Sequence, residues 1–421
     1  MSVTADEHLL IGSLIDPGGV ARAKAVPAVR AHEFTTSGMG ASPSWNVFCA
    51  DDQLAFTERF SPAGDMRLRI VAEAARALGD GLSWGPVTVH TLEGATDPTC
   101  SRSVLSRTVA RLRDAGVTAS VGHELEFQLF PNDPVPNAGW SAYGLRAVAD
   151  HATFLQRVLA RARTATLDIV QVHAEAGPNQ FELSIAPRPP VEAADDLALA
   201  RLIVGLAARD TGYGVSFSPL PKAGGAGNGA HQHLSLQAED RPLFQGGDGP
   251  YGLTASGQAA IAGILDALPA LGAVLTGSPL SAERLKPGMW SGARCHWGLE
   301  DREAAVRVIA ASAGTPSGAN IEVKPIDASA NPYLASSLIL GAALDGIERG
   351  AALVPAASDD VPVLPTDTGE QLARLARSAV ANRFLGPELI EAITAVRRLE
   401  HETWGARPVE EQAERFRLTW G

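Results

Sequence analysis

The chain has 421 residues, 45% hydrophobic and 19% charged, a core-forming composition that excludes a disordered chain and a length that allows roughly two or three domains. Its 35 lysines and arginines against 47 aspartates and glutamates leave a formal charge of −12, which repels phosphate backbones and anionic lipid surfaces, so neither nucleic acid nor membrane is expected as a partner. Cys49, Cys100 and Cys295 are far apart and lack a Cys-x-x-Cys spacing, so neither a disulfide framework nor a thiolate zinc site is encoded.

The opening MSVTADEHLL begins with acids instead of a basic stretch ahead of an apolar run; no secretion signal is read and a cytoplasmic location is expected. Residues 44–50, 53–57 and 87–92 read as short strands and 67–78 as a helix, together a small α+β module over residues 1–96. Asp97-Pro98 opens a helix over 101–115 that carries Arg102, Arg107, Arg111 and Arg113 and stops at Gly116. From there strands and helices interleave up to the helices after 367, which predicts a larger second unit over 97–421. The apolar stretch 251–282 is broken by Asp266 and Pro269, and 333–344 is shorter than the about 20 residues a bilayer needs, so no membrane span is expected.

Four later segments share one scheme. In residues 122–130 the alternation has period two: Leu125, Phe127 and Leu129 take one face, and Glu124, Glu126 and Gln128 the other. In 169–175, Gln171, His173 and Glu175 oppose Val170, Val172 and Ala174, and after a turn the strand 180–185 sets Glu182 against Phe181 and Leu183. Downstream, His231, His233 and Ser235 align, as do Glu322 and Lys324. One such strand alone is the ordinary pattern of a half-exposed sheet. Five carboxylates (Glu124, Glu126, Glu175, Glu182, Glu322) and one or two imidazoles around a common concavity would repel unless cations neutralise them. Oxygen-rich ligation suits Mg²⁺ or Mn²⁺ better than Zn²⁺, and two ions is the natural count. Arg284, Arg302, Arg307 and Lys324 supply positive charge for further anions such as nucleotide phosphates. The glycine-rich run 222–230 lacks the Gly-Lys-Ser/Thr ending of a nucleotide loop and leads into a strand; a flexible turn and a loop that brings backbone close to a ligand stand equal for it.

In order, the segments resemble the glutamine synthetase superfamily over about residues 97–350. The motifs are Glu-Leu-Glu-Phe at 124–127, His-Ala-Glu-Ala-Gly-Pro-Asn-Gln-Phe-Glu at 173–182, Gly-Asn-Gly-Ala-His-Gln-His at 227–233, the arginines 302 and 307, and Ala-Ser-Ala-Asn-Pro-Tyr-Leu-Ala at 328–335. The resemblance implies an α+β fold: a small N-terminal β-grasp-like domain over 1–96, then a catalytic domain over 97–421 with a curved antiparallel sheet flanked by helices. It also implies a homo-oligomer, a dodecamer of two stacked hexamers. The implied activity is an ATP-dependent ligase, in which the γ-carboxylate of glutamate is phosphorylated and an amine displaces phosphate to form an amide. By position, Glu126, Glu175 and Glu182 match the ligands of one ion, and Glu124, His231 and Glu322 those of the ion on the ATP phosphates. His233 and Ser235 match nucleotide contacts, Gly227 and Arg284 match amino-acid contacts, and Arg302 and Arg307 match arginines that steady the transferring phosphoryl group, Arg307 also contacting the nucleotide.

Glutamine synthetases carry a flap, Arg-Leu-Val-Pro-Gly-Tyr-Glu-Ala-Pro, whose glutamate shields the acyl phosphate and takes a proton from ammonium. Here residues 284–292 place Trp290 at that position. A Trp cannot accept a proton, but it offers an apolar or cation–π surface to an organic amine. Residues 37–43 likewise lack the acid of the ammonium-binding Asp-Gly-Ser-Ser stretch. The pattern is therefore similar to the γ-glutamyl amide ligases that condense glutamate with organic amines, and catalytic weight falls on Arg302, Arg307 and Trp290. Ala226 stands where an Asn usually helps bind glutamate, Lys324 replaces an Arg at the acid substrate, and Val170 occupies a position often acidic. The alternatives are a divergent glutamine synthetase using ammonia and a catalytically silent scaffold or nitrogen-status sensor; retention of all six ligand positions disfavours the latter.

Overall fold

Alternating burial in the first ninety residues builds a six-stranded sheet from Leu9–Ile15 (β1), Ala21–Pro27 (β2), Met39–Ala41 (β3), Met66–Ile70 (β4), Arg76–Gly79 (β5) and Leu82–His90 (β6). This computed structural model describes residues 8–132, 139–356 and 361–420, so residues 1–7, on which the leader reading rests, lie outside the described residues. The strand order is β2-β1-β6-β4-β3 with β5 also on β6; β1 and β6 run parallel and the remaining pairs antiparallel.

Two local expectations are corrected here. Residues 67–78 form no helix but β4, a 3₁₀ turn at Ala72–Ala74 and β5. Met66, Leu68 and Ile70 are buried while Arg67 and Arg69 between them are partly exposed, so the two-residue period decides the structure. Residues 44–50 contain not a strand but the 3₁₀ helix Pro43–Val47, started by Pro43 and capped by Ser42, whose hydroxyl accepts from the Ser44 amide at 3.2 Å. Residues 53–57 contribute one bridge, Leu54 to Phe48, and the strand expected at 87–92 is the end of β6, which stops at His90.

The second sheet has nine strands: Val117–Pro131 (β7), Ile169–Ala174 (β8), Gln180–Arg188 (β9), Tyr213–Ser216 (β10), Gln232–Ala238 (β11), Arg241–Pro242 (β12), Arg294–Leu299 (β13), Ala304–Ile309 (β14) and Asn320–Val323 (β15). Its order is β13-β14-β15-β11-β7-β9-β8, with β10 also on β7 and β12 on β11. It is antiparallel as expected except for β13 and β14, which pair in parallel. Leu125, Phe127 and Leu129 of β7 are fully buried, and Phe127 packs on Phe154, Phe181 and Phe217 at ring distances of 6.0, 6.1 and 6.1 Å. Each buried ring contributes about 1.5–3 kcal/mol. This fixes the register, because a slip of one residue would drive Glu124 and Glu126 into the aromatic core.

Helices Ser101–Asp114, Pro190–Asp210, Ala255–Leu275 and Pro332–Arg349 contribute to the same core. The first follows the expected helix closely, with Gly116 just past its end at φ +73°. Pro332–Arg349 is buried from Pro332 through Leu344; the Asn331 side chain caps it by accepting from the Tyr333 and Leu334 amides, and Gly350 ends it in the left-handed region. The 328–335 motif is thus structural: Asn331 also donates to the Ile15 carbonyl at 2.7 Å, tying the helix to β1. Ala255–Leu275 lies against this helix at a crossing of bare backbone. A Cβ on Gly346 would sit 2.1 Å from the Ala259 carbonyl oxygen, and one on Gly263 would sit 2.3 Å from that of Ala342. Ala255–Leu275 runs through Pro269 and is long and apolar enough to cross a membrane, yet most of it is buried within the protein, as in a core helix.

Candidate active site

The polar faces of β7, β8, β9, β14 and β15, with His231 just ahead of β11, border a cavity of about 680 Å³. Cross-strand register brings the charges together in two rows. In one, Glu126 of β7 faces Glu182 of β9, which faces His173 of β8; in the other, His233 of β11 faces Glu322 of β15, which faces Arg307 of β14. All six expected ligands (Glu124, Glu126, Glu175, Glu182, His231, Glu322) line this cavity, together with Gly227, Arg284, Trp290, Arg302, Arg307 and Lys324. His233 and Ser235 line an adjoining cleft of about 410 Å³ that shares Glu124 and Gln171 with it.

His231 links the two sides. Its Nδ1 lies 3.2 Å from both Glu124 and Glu322, and its Nε2 lies 3.1 Å from the Arg284 guanidinium. Because arginine can only donate, Nε2 accepts and the ring proton sits on Nδ1 between the two carboxylates. Burial works against ionised Glu124 and Glu322, yet the imidazoles of His231 and His233 hold both carboxyls well below the usual range. Glu182 goes the other way: burial first, then the charges of Glu124, Glu126, Glu175 and Glu322, push its carboxyl up to about 10. A carboxyl forced to keep a proton among four others marks a pocket short of positive charge.

The donor set fits a hard divalent cation. Among the described residues, three groups have ligand atoms within 4.8 Å of one another: Glu124, Glu182 and His231; Glu124, His233 and Glu322; and His173, Glu175 and Glu182. His173, read from sequence only as sharing the face, lies 2.9 Å from Glu175 and 3.7 Å from Glu182. Glu126 belongs to none of the three and instead accepts from the Gln180 side chain at 3.2 Å. Gln180 also donates to the Gly227 carbonyl at 2.7 Å and to Asn228 at 2.9 Å, so this residue, unremarked in the sequence, pins the glycine-rich loop to the hairpin.

That loop approaches protein groups closely. A Cβ on Gly229 would lie 2.5 Å from Arg284 Nη2 and 2.6 Å from His231 Nε2, and one on Gly227 would lie 2.8 Å from Arg284 Cγ. Glycine is required there because the arginine and histidine must come close. Arg284 is buried, and its Nη1 has no hydrogen-bond partner among the described residues. Arg307 spans Glu322 and Glu300, and buried Lys324 donates to Glu322 at 3.1 Å, so much of the lysine's charge serves that carboxylate.

The remaining wall is aromatic. Trp290 is 54% exposed with φ +52°, and its amide and that of Gly288 each donate to Glu303 at 3.0 Å. Tyr143 stacks on His173 at 5.6 Å, and its hydroxyl lies 3.4 Å from Glu175. Residues 37–43 line neither of these two cavities; they include β3 at the edge of the first sheet, with the Asp65 carboxylate beside Gly40. Val170 is also corrected. The pairing jumps from Ile169 with Ile185 to Gln171 with Ser184, so Val170 is the extra residue of a bulge and is 63% exposed at the His233 cleft instead of sharing the apolar face.

The sequence profile described as glutamine synthetase, catalytic domain, matches residues 98–416. The gamma-glutamylpolyamine synthetase GlnA3 of Streptomyces coelicolor is 36% identical over 93% of this chain and 89% of its own, and the glutamine synthetase of Mycolicibacterium smegmatis is 31% identical over 72% of each. A crystal structure described as a novel glutamine synthase homolog superposes with a TM-score of 0.90 at 28% identity over 97% of both chains. A GmaS/ADP complex superposes at 0.83 and 25% identity, over 97% of this chain and 96% of that one.

Proposed function

Since the chain belongs to the glutamine synthetase family, we propose that it is an ATP-dependent carbon–nitrogen ligase that joins glutamate to an organic amine as a γ-glutamyl amide. The observation that carries the choice of amine is the cavity wall: Trp290 and Tyr143 stand beside the carboxylate cluster, and no carboxylate occupies position 290. A compact ammonium ion gains little from such a surface, whereas a carbon-bearing amine buries apolar area and meets the ring faces.

Members of this family use ATP and divalent cations. Glu124, Glu175, Glu182, His173, His231, His233 and Glu322 would hold the cations, with Glu126 beside them. Bound Mg²⁺ or Mn²⁺, two or more per site, supplies charge neutralisation at the phosphates. Arg284, whose Nη1 has no partner among the described residues, would bind the α-carboxylate of the amino acid, with Gly227 close against its side chain. Arg302 and Arg307, which line the cavity, would steady the transferring phosphoryl group, whose negative charge spreads in the transition state. A γ-carboxylate oxygen attacks the terminal phosphorus and ADP leaves; the neutral amine then attacks the acyl carbon, phosphate leaves with that oxygen as the C–O bond breaks, and the proton lost from nitrogen passes to the phosphate or to solvent. His233 and Ser235, which line the adjoining cleft, would meet the nucleotide on that side.

On the family likeness we further propose a division at 96/97, consistent with a first sheet confined to residues 9–90. The same likeness supports a dodecamer of two stacked hexamers and a cytoplasmic location. The activity is tested by assaying phosphate release with glutamate, ATP and a panel of amines, then weighing the product. Amine-dependent release with a product of γ-glutamyl amide mass is expected; saturation by ammonium alone would overturn the assignment.

A further inference from the structure

Trp290 faces the cavity from a backbone conformation that residues with a Cβ rarely adopt. It lies in a short turn, with Gly288 at φ +84°, Gly292 at φ +73° and the Met289 amide donating to the Lys286 carbonyl at 3.2 Å. Such a turn needs an outside restraint to stay in one state. The restraint comes from the connection between β13 and β14. There the two oxygens of Glu303 each accept one amide, Oε2 that of Gly288 and Oε1 that of Trp290, both at 3.0 Å. Glu303 makes no ion pair with Lys or Arg among the described residues, so its charge serves these two amides. It is itself seated: its own amide donates to Asp301 at 2.9 Å, and Asp301 lies 3.1 Å from buried His296.

We propose that Glu303 is a positioning residue whose carboxylate clamps the Gly288 and Trp290 amides and so fixes the aromatic wall met by the organic amine, a role that rests on the ligase reading above. Glu303 touches no reacting atom; it acts through Trp290. Charge-assisted hydrogen bonds from two amides to one carboxylate are strong enough to hold the unusual backbone of Trp290, and a neutral acceptor holds it less well. The neighbouring Arg302 has a separate task, so loss of the clamp changes the amine side and leaves the nucleotide side as it is.

The test uses the full chain with Glu303→Gln and Glu303→Ala. Amide hydrogen exchange across residues 286–292 is measured alongside KM for the amine and for ATP, with exchange in Pro332–Arg349 as the check that the fold is intact. Faster exchange at Gly288 and Trp290 is expected in both variants. The amine KM should rise about tenfold in the Ala variant, as for one lost charge-assisted bond, and less in the Gln variant, with kcat and the ATP KM within about twofold. Unchanged exchange at those amides, or an ATP KM that rises in step with the amine KM, would overturn the proposal. Were the wild type to turn over no amine at all, the ligase reading would fall, and exchange at the two amides would still decide whether the clamp exists.

Discussion

Glu182→Gln should make the cation-free protein more stable while removing its activity. Unfolded, this carboxyl titrates near 4.5; in the folded chain burial and the surrounding carboxylates push it up to about 10. Between those values the folded protein holds a proton that the unfolded chain has released, so stability falls as pH rises through the window. At pH 7 the two and a half units already crossed, at about 1.4 kcal/mol each, come to about 3 kcal/mol. Glutamine does not titrate and keeps similar shape, so the variant escapes that loss. With an unfolding entropy of about 2.1 cal/mol/K per residue over 421 residues, this is roughly 3 °C in Tm. The assay is thermal unfolding of both proteins in a chelator from pH 5 to pH 8. The gain should be small at pH 5 and grow with pH, and added Mg²⁺ should raise the Tm of the wild type more than that of the variant. Parallel pH profiles for the two proteins would refute the electrostatic account of the pocket.

Three further substitutions probe other links. Glu126→Ala should leave the circular dichroism spectrum unchanged and abolish ATP turnover, because Glu126 borders His231 and anchors Gln180 beside the cluster. Asn331→Ala removes a cap on two amides and the donor to the Ile15 carbonyl, which should cost about 2–3 kcal/mol in chemical denaturation. Gly346→Ala places a methyl 2.1 Å from the Ala259 carbonyl oxygen; the helices must part, and a loss of about 1–3 kcal/mol is expected by the same measurement.

The charged faces of β7 and β9 were legible because each has an apolar face buried under helices, and a two-residue period with one dry side leaves a single register. Glu124, Glu126 and Glu182 follow directly from it. The amino-terminal sheet is less legible: the sequence reading has no β1 to β3, and it expects helix over 67–78 although every second residue of β4 is buried. No local pattern shows which strands will lie side by side. For the same reason the alternation puts His173 on the polar face but does not show its contact to Glu175 and Glu182, which depends on how β8 pairs with β9. Gln180 shares parity with Glu182 and lies within the 173–182 motif, but neither fact shows that it binds the glycine-rich loop. Glu303 left no signal, since its partners are backbone amides of a turn contributed by another segment. The bulge at Val170 was equally hidden, because a strand with an extra residue reads as a regular one until its partner is known.

The most direct measurement follows one oxygen atom. With glutamate carrying a heavy oxygen isotope in its γ-carboxylate, an organic amine and ATP, the account predicts that each phosphate released carries one labelled oxygen, in step with γ-glutamyl amide formed. Unlabelled phosphate, or labelled phosphate accumulating only with ammonium, would contradict it.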